Sequence, residues 1–437
     1  MRIAVAGTGY VGLVSGVCFA EMGHEVICVD TDQEKIRTMK KGISPIYEDG
    51  LEEMMRRNYM EGRIDYTTDY AAAYRNAQVI FIGVGTPERP DGSADLSYVT
   101  QVARQIAESV ESDCLVVIKS TVPVGTNDKV EQYIKDFLKN DVHIEVASNP
   151  EFLSQGTAVR DTLKARRIVI GTNSKGAEKL LREIYEPFHL PIVSVTRRSA
   201  EIIKYAANDF LALKISYMNE IANLCELVGA NVQDVAEGMG YDTRIGKDFL
   251  KAGIGYGGSC FPKDTKALDF LARQKGYMLK TVRAAIEVNE TQSVRLFEKA
   301  QNRLLSFRGL KTAILGLTFK PGTDDLRAAP SLKNIELLLN AGADLYVYDP
   351  VGCKGFKQKY SQKKIEKGSI TYCDDAEFAL RDANICFIFT EWKEIKEIMP
   401  EQYGIWMKNA LVYDGRNIYS PEDMRKAGVE YYSIGRP

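Results

Sequence analysis

A chain of 437 residues is too long for one hydrophobic core, so two or three domains are expected. Hydrophobic residues make up 45% and charged residues 27%, the balance of a soluble globular protein and not of a disordered or fibrous one. The formal net charge is −2 and no Lys/Arg block reaches the length of a nucleic-acid arm, which argues against a polyanionic partner and leaves local cations for a small phosphorylated substrate.

The apolar N-terminus lacks the basic leader and cleavage-like site of a signal peptide. Residues 2–6 read as a strand, followed by a Gly-rich turn and a helix to about Met22. Val26–Asp30 is a second strand ending in an acid, and Val79–Ile82, Leu115–Ile118 and Ile144–Ala147 are further strands with helical stretches between most of them. Continuous apolar strands alternating with helices predict a parallel sheet covered on both faces, which Arg167–Ile170 and Ile192–Val195 extend. From Ala200 to Val228 the pattern is helical without Pro or Gly, a helix of roughly 45 Å. Helices around Val232–Glu237, Asp264–Gln274 and Val282–Leu305 complete a helical middle domain. The alternation returns with strands at Thr312–Gly316, Asp344–Asp349, Ile385–Phe389 and Leu411–Asp414. The predicted fold is therefore α/β: two Rossmann-like parallel-sheet domains, 1–197 and 309–437, joined by a helical domain, 198–308, with one long helix. The second sheet domain lacks a G-x-G-x-x-G and is not expected to bind a second dinucleotide.

Eight Cys without a C-x-x-C pair, several inside apolar runs, suggest reduced thiols and a cytoplasmic protein. The three His lie at no metal-ligand spacing, so no metal is expected. No run is long and apolar enough to span a membrane.

Gly7-Thr8-Gly9-Tyr10-Val11-Gly12 follows a strand and opens a helix. Its glycines permit a tight turn, approach of a pyrophosphate to backbone, and close helix–strand contact. Asp30 ends the next strand at the required distance, where it would bind the adenosine ribose hydroxyls and repel a 2′-phosphate; the cofactor expected is NAD. Lys35 is either a further cofactor contact or a solvated helix charge. Thr86 and Thr121 lie in turns at the carboxyl ends of strands and are expected to offer hydroxyls to the cofactor, to cap the next helices, or to do both. Glu151, after Asn149-Pro150, is a candidate to position water or act as a base. Lys204 and Asn208 share a face of the long helix and either suit a developing oxyanion or, for the lysine, give a solvated charge.

Cys260 stands in Gly257-Gly258-Ser259-Cys260-Phe261-Pro262-Lys263-Asp264. The Gly pair lets the backbone come close to a ligand. Pro262 suits a first helical turn, and the positive end of that helix favours a thiolate. Beside a nicotinamide, a thiolate suggests an oxidation passing through a covalent carbonyl adduct. Asp264, one turn on, either orders a water, balances Lys204, or is a helix-start acid interacting with the dipole.

Together and in this order, Gly7–Gly12, Lys119–Gly125, Asn149–Leu153, Glu201–Glu226, Gly257–Asp264 and Leu315–Gly322 resemble the UDP-glucose/GDP-mannose dehydrogenase family over nearly the whole chain. The resemblance implies an NAD domain, a helical dimerisation core giving a homodimer, and a UDP-binding α/β domain. It implies a four-electron oxidation of a sugar C6 alcohol to a carboxylate, with UDP-glucose as the expected substrate. By motif, Cys260 attacks the aldehyde, Lys204 and Asn208 stabilise oxyanions, Asp264 acts through water, and Thr121 and Glu151 hold the water. Lys263 and Arg327 are implied at the cofactor. Phe152, Leu153, Ser154, Phe249, Leu250, Lys251, Ala252, Gly253, Tyr256, Gly257, Phe319 and Lys320 are implied at the nucleotide sugar, with Arg244 reaching a neighbouring subunit's substrate. Leu163–Arg167 replaces the Pro and acid of many members, a departure that bears on the choice of hexose: UDP-glucose, a UDP-N-acetyl hexosamine or GDP-mannose. A single-step β-hydroxyacid dehydrogenase would have no use for Cys260 or the C-terminal domain, and a non-catalytic nucleotide-sugar sensor would not need the full set of reactive residues.

Overall fold

The computed structural model describes residues 1–361, 363 and 365–437. The chain divides into two compact units, Met1–Ala207 with Arg273–Lys275, and Asn208–Ala272 with Gly276–Pro437. Two parallel-sheet α/β folds and an intervening run of helices are present, as the alternation of apolar strands and helices dictates.

The first unit holds eight strands: β1 (Arg2–Ala6), β2 (Glu25–Val29), β3 (Ile64–Thr67), β4 (Val79–Ile82), β5 (Cys114–Ile118), β6 (Ile144–Ser148), β7 (Ile168–Gly171) and β8 (Ile192–Val195), in the order β3-β2-β1-β4-β5-β6-β7-β8. Pairing is parallel except where β7 meets β6 antiparallel through Ser148 and Gly171. Alternate residues of the central strands feed two cores. Ile3, Val5, Val79, Phe81, Leu115 and Val117 pack with Leu13, Val17 and Phe19 on one face. Ala4, Ala6, Ile80, Ile82, Val116 and Ile118 pack with Val102 and Ile106 on the other. Burial on both faces explains why these strands carry no polar alternation.

In the second unit, β9 (Lys311–Leu315), β10 (Asp344–Tyr348), β11 (Ser369–Tyr372), β12 (Ile385–Ile388), β13 (Leu411–Asp414) and β14 (Glu430–Tyr432) form an all-parallel sheet ordered β11-β10-β9-β12-β13-β14. That order repeats β3-β2-β1-β4-β5-β6 of the first sheet. Among the described residues no helix is long and apolar enough to cross a membrane.

The long helix runs from Arg197 to Val228. The helix expected over Val282–Leu305 is two helices, Lys280–Gln292 and Arg295–Arg303. The break has a side-chain cause. Ser293 and Thr291 hydroxyls bond back to the carbonyls of Glu290 and of Glu287 and Val288, which bends a helix. Asn334 Nδ2 also takes the Ser293 carbonyl at 2.7 Å, a group a continuous helix would need for itself.

Candidate active site

The glycine turn of the first unit behaves as its spacing requires. Gly7 has φ +95° and its N–H donates to Val29 at the end of β2, 2.8 Å. A Cβ at Gly12 would lie 2.0 Å from the Gly7 carbonyl oxygen, so the helix Tyr10–Glu21 seats against the turn only with glycine there. At Gly9 an added Cβ would meet nothing within 4 Å: the turn opens onto free space at the N-terminus of that helix. Asp30, just past β2, accepts from Thr8 N–H (3.1 Å) and hydroxyl (2.5 Å) on Oδ2 and from Asp32 N–H (3.0 Å) on Oδ1. Lys35 Nζ stands 3.8 Å away. Burial works against the Asp30 charge, but the Thr8 and Asp32 hydrogen bonds and the Lys35 ammonium outweigh it and hold the carboxyl below its ordinary range. An open glycine turn at a helix start and a fixed carboxylate beside it fit a dinucleotide with free ribose hydroxyls.

Thr86 donates its hydroxyl to the Thr121 carbonyl (2.9 Å), tying two strand-end turns together. Neither threonine caps a helix: the next ones start at Ser97 and Thr126, and Gly125 is the residue before the latter. That helix start is held by Glu201, whose carboxylate accepts from the N–H groups of Gly125 (2.6 Å) and Asn127 (2.9 Å).

Lys204 and Glu151 form an ion pair at 2.9 Å with side chains 3% and 7% exposed. The second Glu151 oxygen accepts from Leu153 N–H at 2.6 Å, and Ser154 N–H donates to Asp161 at 3.1 Å. Arg167, from the segment that departs from the family pattern, stacks on Phe152 with its guanidinium carbon 3.8 Å from the ring centre.

In the second unit, Cys260 is half-buried at the start of the helix Phe261–Gln274, and its carbonyl accepts the first helical bond from Asp264 N–H (2.9 Å). Its thiol lies 3.8 Å from the Ser259 hydroxyl. Burial pushes the thiols of Cys18, Cys28, Cys114 and Cys373 up to about 12, which keeps them inert. Asp264 is buried and accepts from Asn208 Nδ2 at 2.7 Å, while Lys263 pairs with its other oxygen. Lys263, expected at the cofactor, thus has Asp264 as its immediate partner. Gly257 and Gly258 pack closely against the protein: a Cβ at Gly257 would sit 2.4 Å from the Ala328 carbonyl oxygen, and one at Gly258 2.7 Å from the Phe319 ring. Gly258 N–H donates to the Arg327 carbonyl at 2.7 Å.

The segment from Phe249 to Gly257 is strapped by residues that its own sequence does not announce. Phe249 has φ +64°. Asn219 accepts from Gly253 N–H (2.9 Å), Gln292 donates to the Gly253 carbonyl (2.7 Å), and Asn289 bonds both Tyr256 N–H and its carbonyl. Leu250 and Ala252 are buried. Arg416 donates to the carbonyls of Gly255 (3.2 Å) and Phe319 (3.0 Å), joining this segment to the loop that carries Phe319 and Lys320. Arg327 is paired with Asp325 at 2.7 Å, and Arg244, largely exposed, with Asp242 at 2.6 Å. Among the described residues no group of three or more His, Cys, Asp or Glu is placed to hold a metal.

Asp209, adjacent to Asn208, escaped sequence reading because an acid on a long helix ordinarily faces water. It is 5% exposed, and among the described residues neither carboxylate oxygen has a hydrogen-bond partner. Burial, and then the charge of Asp264, push its carboxyl up to about 8. The folded chain thus keeps a proton that the unfolded chain releases above about 3.8, and stability falls as pH rises from there through about 8. Asp209→Asn keeps the shape without the charge. Its thermal midpoint should exceed that of the parent at pH 8, with the gap closing toward pH 4; a gap independent of pH would contradict the assignment.

The first unit combines the sheet order, glycine turn and strand-end acid of a dinucleotide-binding domain. The chain belongs to the UDP-glucose/GDP-mannose dehydrogenase family: it matches the family's NAD binding domain over residues 1–189, its central domain over 198–291 and its UDP binding domain over 313–421. It is 48% identical to UDP-glucose 6-dehydrogenase YwqF of Bacillus subtilis over 436 residues, covering 100% of this chain and 98% of that protein. Its fold is similar to that of a UDP-glucose dehydrogenase from Pyrobaculum islandicum (TM-score 0.92, 36% identity, 100% of this chain and 98% of that one). It is also similar to a UDP-D-ManNAc dehydrogenase from Pyrococcus horikoshii (TM-score 0.87, 29% identity, 100% and 99%).

Proposed function

We propose that this protein catalyses the NAD-dependent, four-electron oxidation of UDP-glucose to UDP-glucuronate. The observation that carries the reading is a half-buried thiol at a helix start in a chain that also has a dinucleotide turn. A single-step alcohol oxidation does not need it. A planar aldehyde yields no second hydride until a nucleophile adds to it.

The proposed division of the chain is 1–197 for NAD, 198–308 for dimerisation and 309–437 for the UDP-sugar. Gly7, Gly9, Tyr10, Val11, Gly12, Asp30, Lys35, Thr86, Lys263 and Arg327 would hold NAD. Bound NAD+ supplies a hydride acceptor for each oxidation. The C6 alcohol loses a proton and a hydride to give the aldehyde. Cys260 Sγ adds to that carbon, forming a C–S bond, and Lys204 and Asn208 stabilise the alkoxide of the thiohemiacetal. Loss of the second hydride leaves a thioester. Water held by Thr121, Glu151 and Asp264 attacks it, the C–S bond breaks, and carboxylate and thiol are released. Per sugar, one water is consumed and two hydrides and three protons leave.

Phe152–Ser154, Phe249–Gly253, Tyr256, Gly257, Phe319 and Lys320 would line the nucleotide sugar. A homodimer is proposed through the central helices, because Phe210, Tyr217 and Leu224 recur every seven residues on the long helix and are 61%, 49% and 53% exposed. In that dimer Arg244 would reach the partner's substrate. Free thiols throughout suit the cytoplasm. With UDP-glucose the purified protein should release two NADH per sugar. NADP+ should be at least ~10-fold poorer, since a phosphate facing Asp30 costs more than about 1.4 kcal/mol. One NADH per sugar, or turnover of another nucleotide sugar and none of UDP-glucose, would overturn the reading.

A further inference from the structure

We infer that Lys119 is a positioning residue that fixes the turn presenting Glu151 to Lys204, an inference resting on the proposed roles of those two residues. Lys119 follows β5 at its carboxyl end, where a polar side chain ordinarily faces ligand or water. Here it turns inward and is 6% exposed. Its ammonium donates to two neutral groups, Asn149 Oδ1 at 3.0 Å and the Tyr185 hydroxyl at 3.2 Å.

These bonds leave Asn149 no freedom. Its Oδ1 also accepts from the Tyr185 hydroxyl at 2.5 Å, its Nδ2 donates to the Val169 carbonyl of β7 at 2.8 Å, and its N–H donates to the Ile118 carbonyl of β5 at 2.9 Å. The next residue, Pro150, has a fixed φ. Glu151 follows, and both its oxygens are taken, by Lys204 and by Leu153 N–H. Misplacing Asn149 would therefore misplace Glu151.

Stability alone does not account for this lysine. An ammonium buried against neutral partners is costly, and an apolar side chain of the same length would fill the space at lower cost. The cost is visible in its titration: burial lowers the Lys119 ammonium to about 8, with Glu151 and Cys18 acting against that and Lys204 adding to it. Burial also pushes the Cys18 thiol up to about 12 and raises the Tyr185 phenol, so near neutral pH the charges that face Lys119 are Glu151 and Lys204. Its cation thus acts on both members of the ion pair as well as on the turn.

Lys119→Met should fold and bind NAD+ normally while kcat falls about 10–100-fold. A nearby cation eases proton loss from acids and ammoniums alike, so its removal should move the pH profile of kcat to more alkaline values. Backbone amides of residues 149–154 should exchange hydrogen faster without substrate. Tyr185→Phe keeps the charge and loses one anchor: kcat should fall less, amide exchange at 149–154 should rise, and the profile should stay in place. Parental kcat, profile and exchange in Lys119→Met overturn the inference; if that variant does not fold, parental kcat and exchange in Tyr185→Phe do so. The exchange measurement needs no turnover. A parent protein that oxidises no nucleotide sugar would therefore sink the proposed function while the exchange data still decide the anchoring.

Discussion

Cys260→Ala is expected to lower steady turnover by roughly 10³-fold or more, with NAD+ affinity and thermal midpoint close to the parent. The fold has little reason to change. The Cys260 backbone, not its thiol, begins the helix Phe261–Gln274, and the thiol lies 3.8 Å from the Ser259 hydroxyl. Cys260→Ser isolates the chemistry. Serine suits a helix start, so geometry is kept, but an alkoxide leaves an acyl group less readily than a thiolate. A covalent ester should accumulate in the serine variant when it is incubated with UDP-glucose and NAD+, and intact-mass measurement would detect it. Parental turnover by Cys260→Ala would end the case for a covalent intermediate and leave the two oxidations needing another nucleophile.

The strands read most closely from the sequence were largely buried ones, although the edge strand β8 and the half-buried β10 were read as well. β4, β5 and β12 are uninterrupted apolar runs, and their limits, like those of β1 and β9, agree with expectation to within a residue. The three that gave no signal, β3, β11 and β14, are sheet edges of three or four residues. Their sequences, Ile-Asp-Tyr-Thr, Ser-Ile-Thr-Tyr and Glu-Tyr-Tyr, are partly exposed and too short for a period to emerge. The glycine turn and Asp30 were legible because both lie within one strand–helix–strand unit. Lys119, Asn149 and Tyr185 were not legible as a group, since their bonds span 30 to 66 residues of chain. The straps on the Phe249–Gly257 segment have the same character: Asn219, Asn289 and Arg416 are ordinary polar residues until the fold brings them to buried carbonyls and amides.

The missing fingerprint of the second sheet domain also has a structural meaning. Gly316 has φ +89° and, like Gly7, ends the first strand of its sheet. Asp349 follows β10 as Asp30 follows β2, and it accepts from the N–H groups of Leu317 (2.6 Å) and Thr318 (3.1 Å). Trp392 Nε1 then donates to the same oxygen at 3.0 Å, and Asp349 is 3% exposed. The acid that faces a nucleotide in a dinucleotide domain is here consumed by the protein's own indole. The strand order is repeated, but the acid after the second strand has different surroundings in the two sheets.

The second large effect concerns the Lys204–Glu151 pair, where stability and rate are expected to separate. Both side chains are almost fully buried, so removing one partner leaves a buried charge without this counter-ion. Lys204→Met and Glu151→Gln should each destabilise the protein by about 3–5 kcal/mol. The double variant should recover most of that loss, because no unmatched charge of the pair remains. Catalysis should not follow the same course. Lys204→Met removes a proposed oxyanion donor, and kcat should fall roughly 10²–10³-fold in the single variant and stay low in the double. Thermal unfolding beside kcat across the four proteins makes the comparison. Recovery of both quantities in the double variant would make the pair a packing device with no part in the oxidation. Parental kcat in Lys204→Met would remove this lysine from the chemistry altogether. Recovery of stability alone is the outcome expected of a buried cation kept for a negative charge that appears only during the reaction.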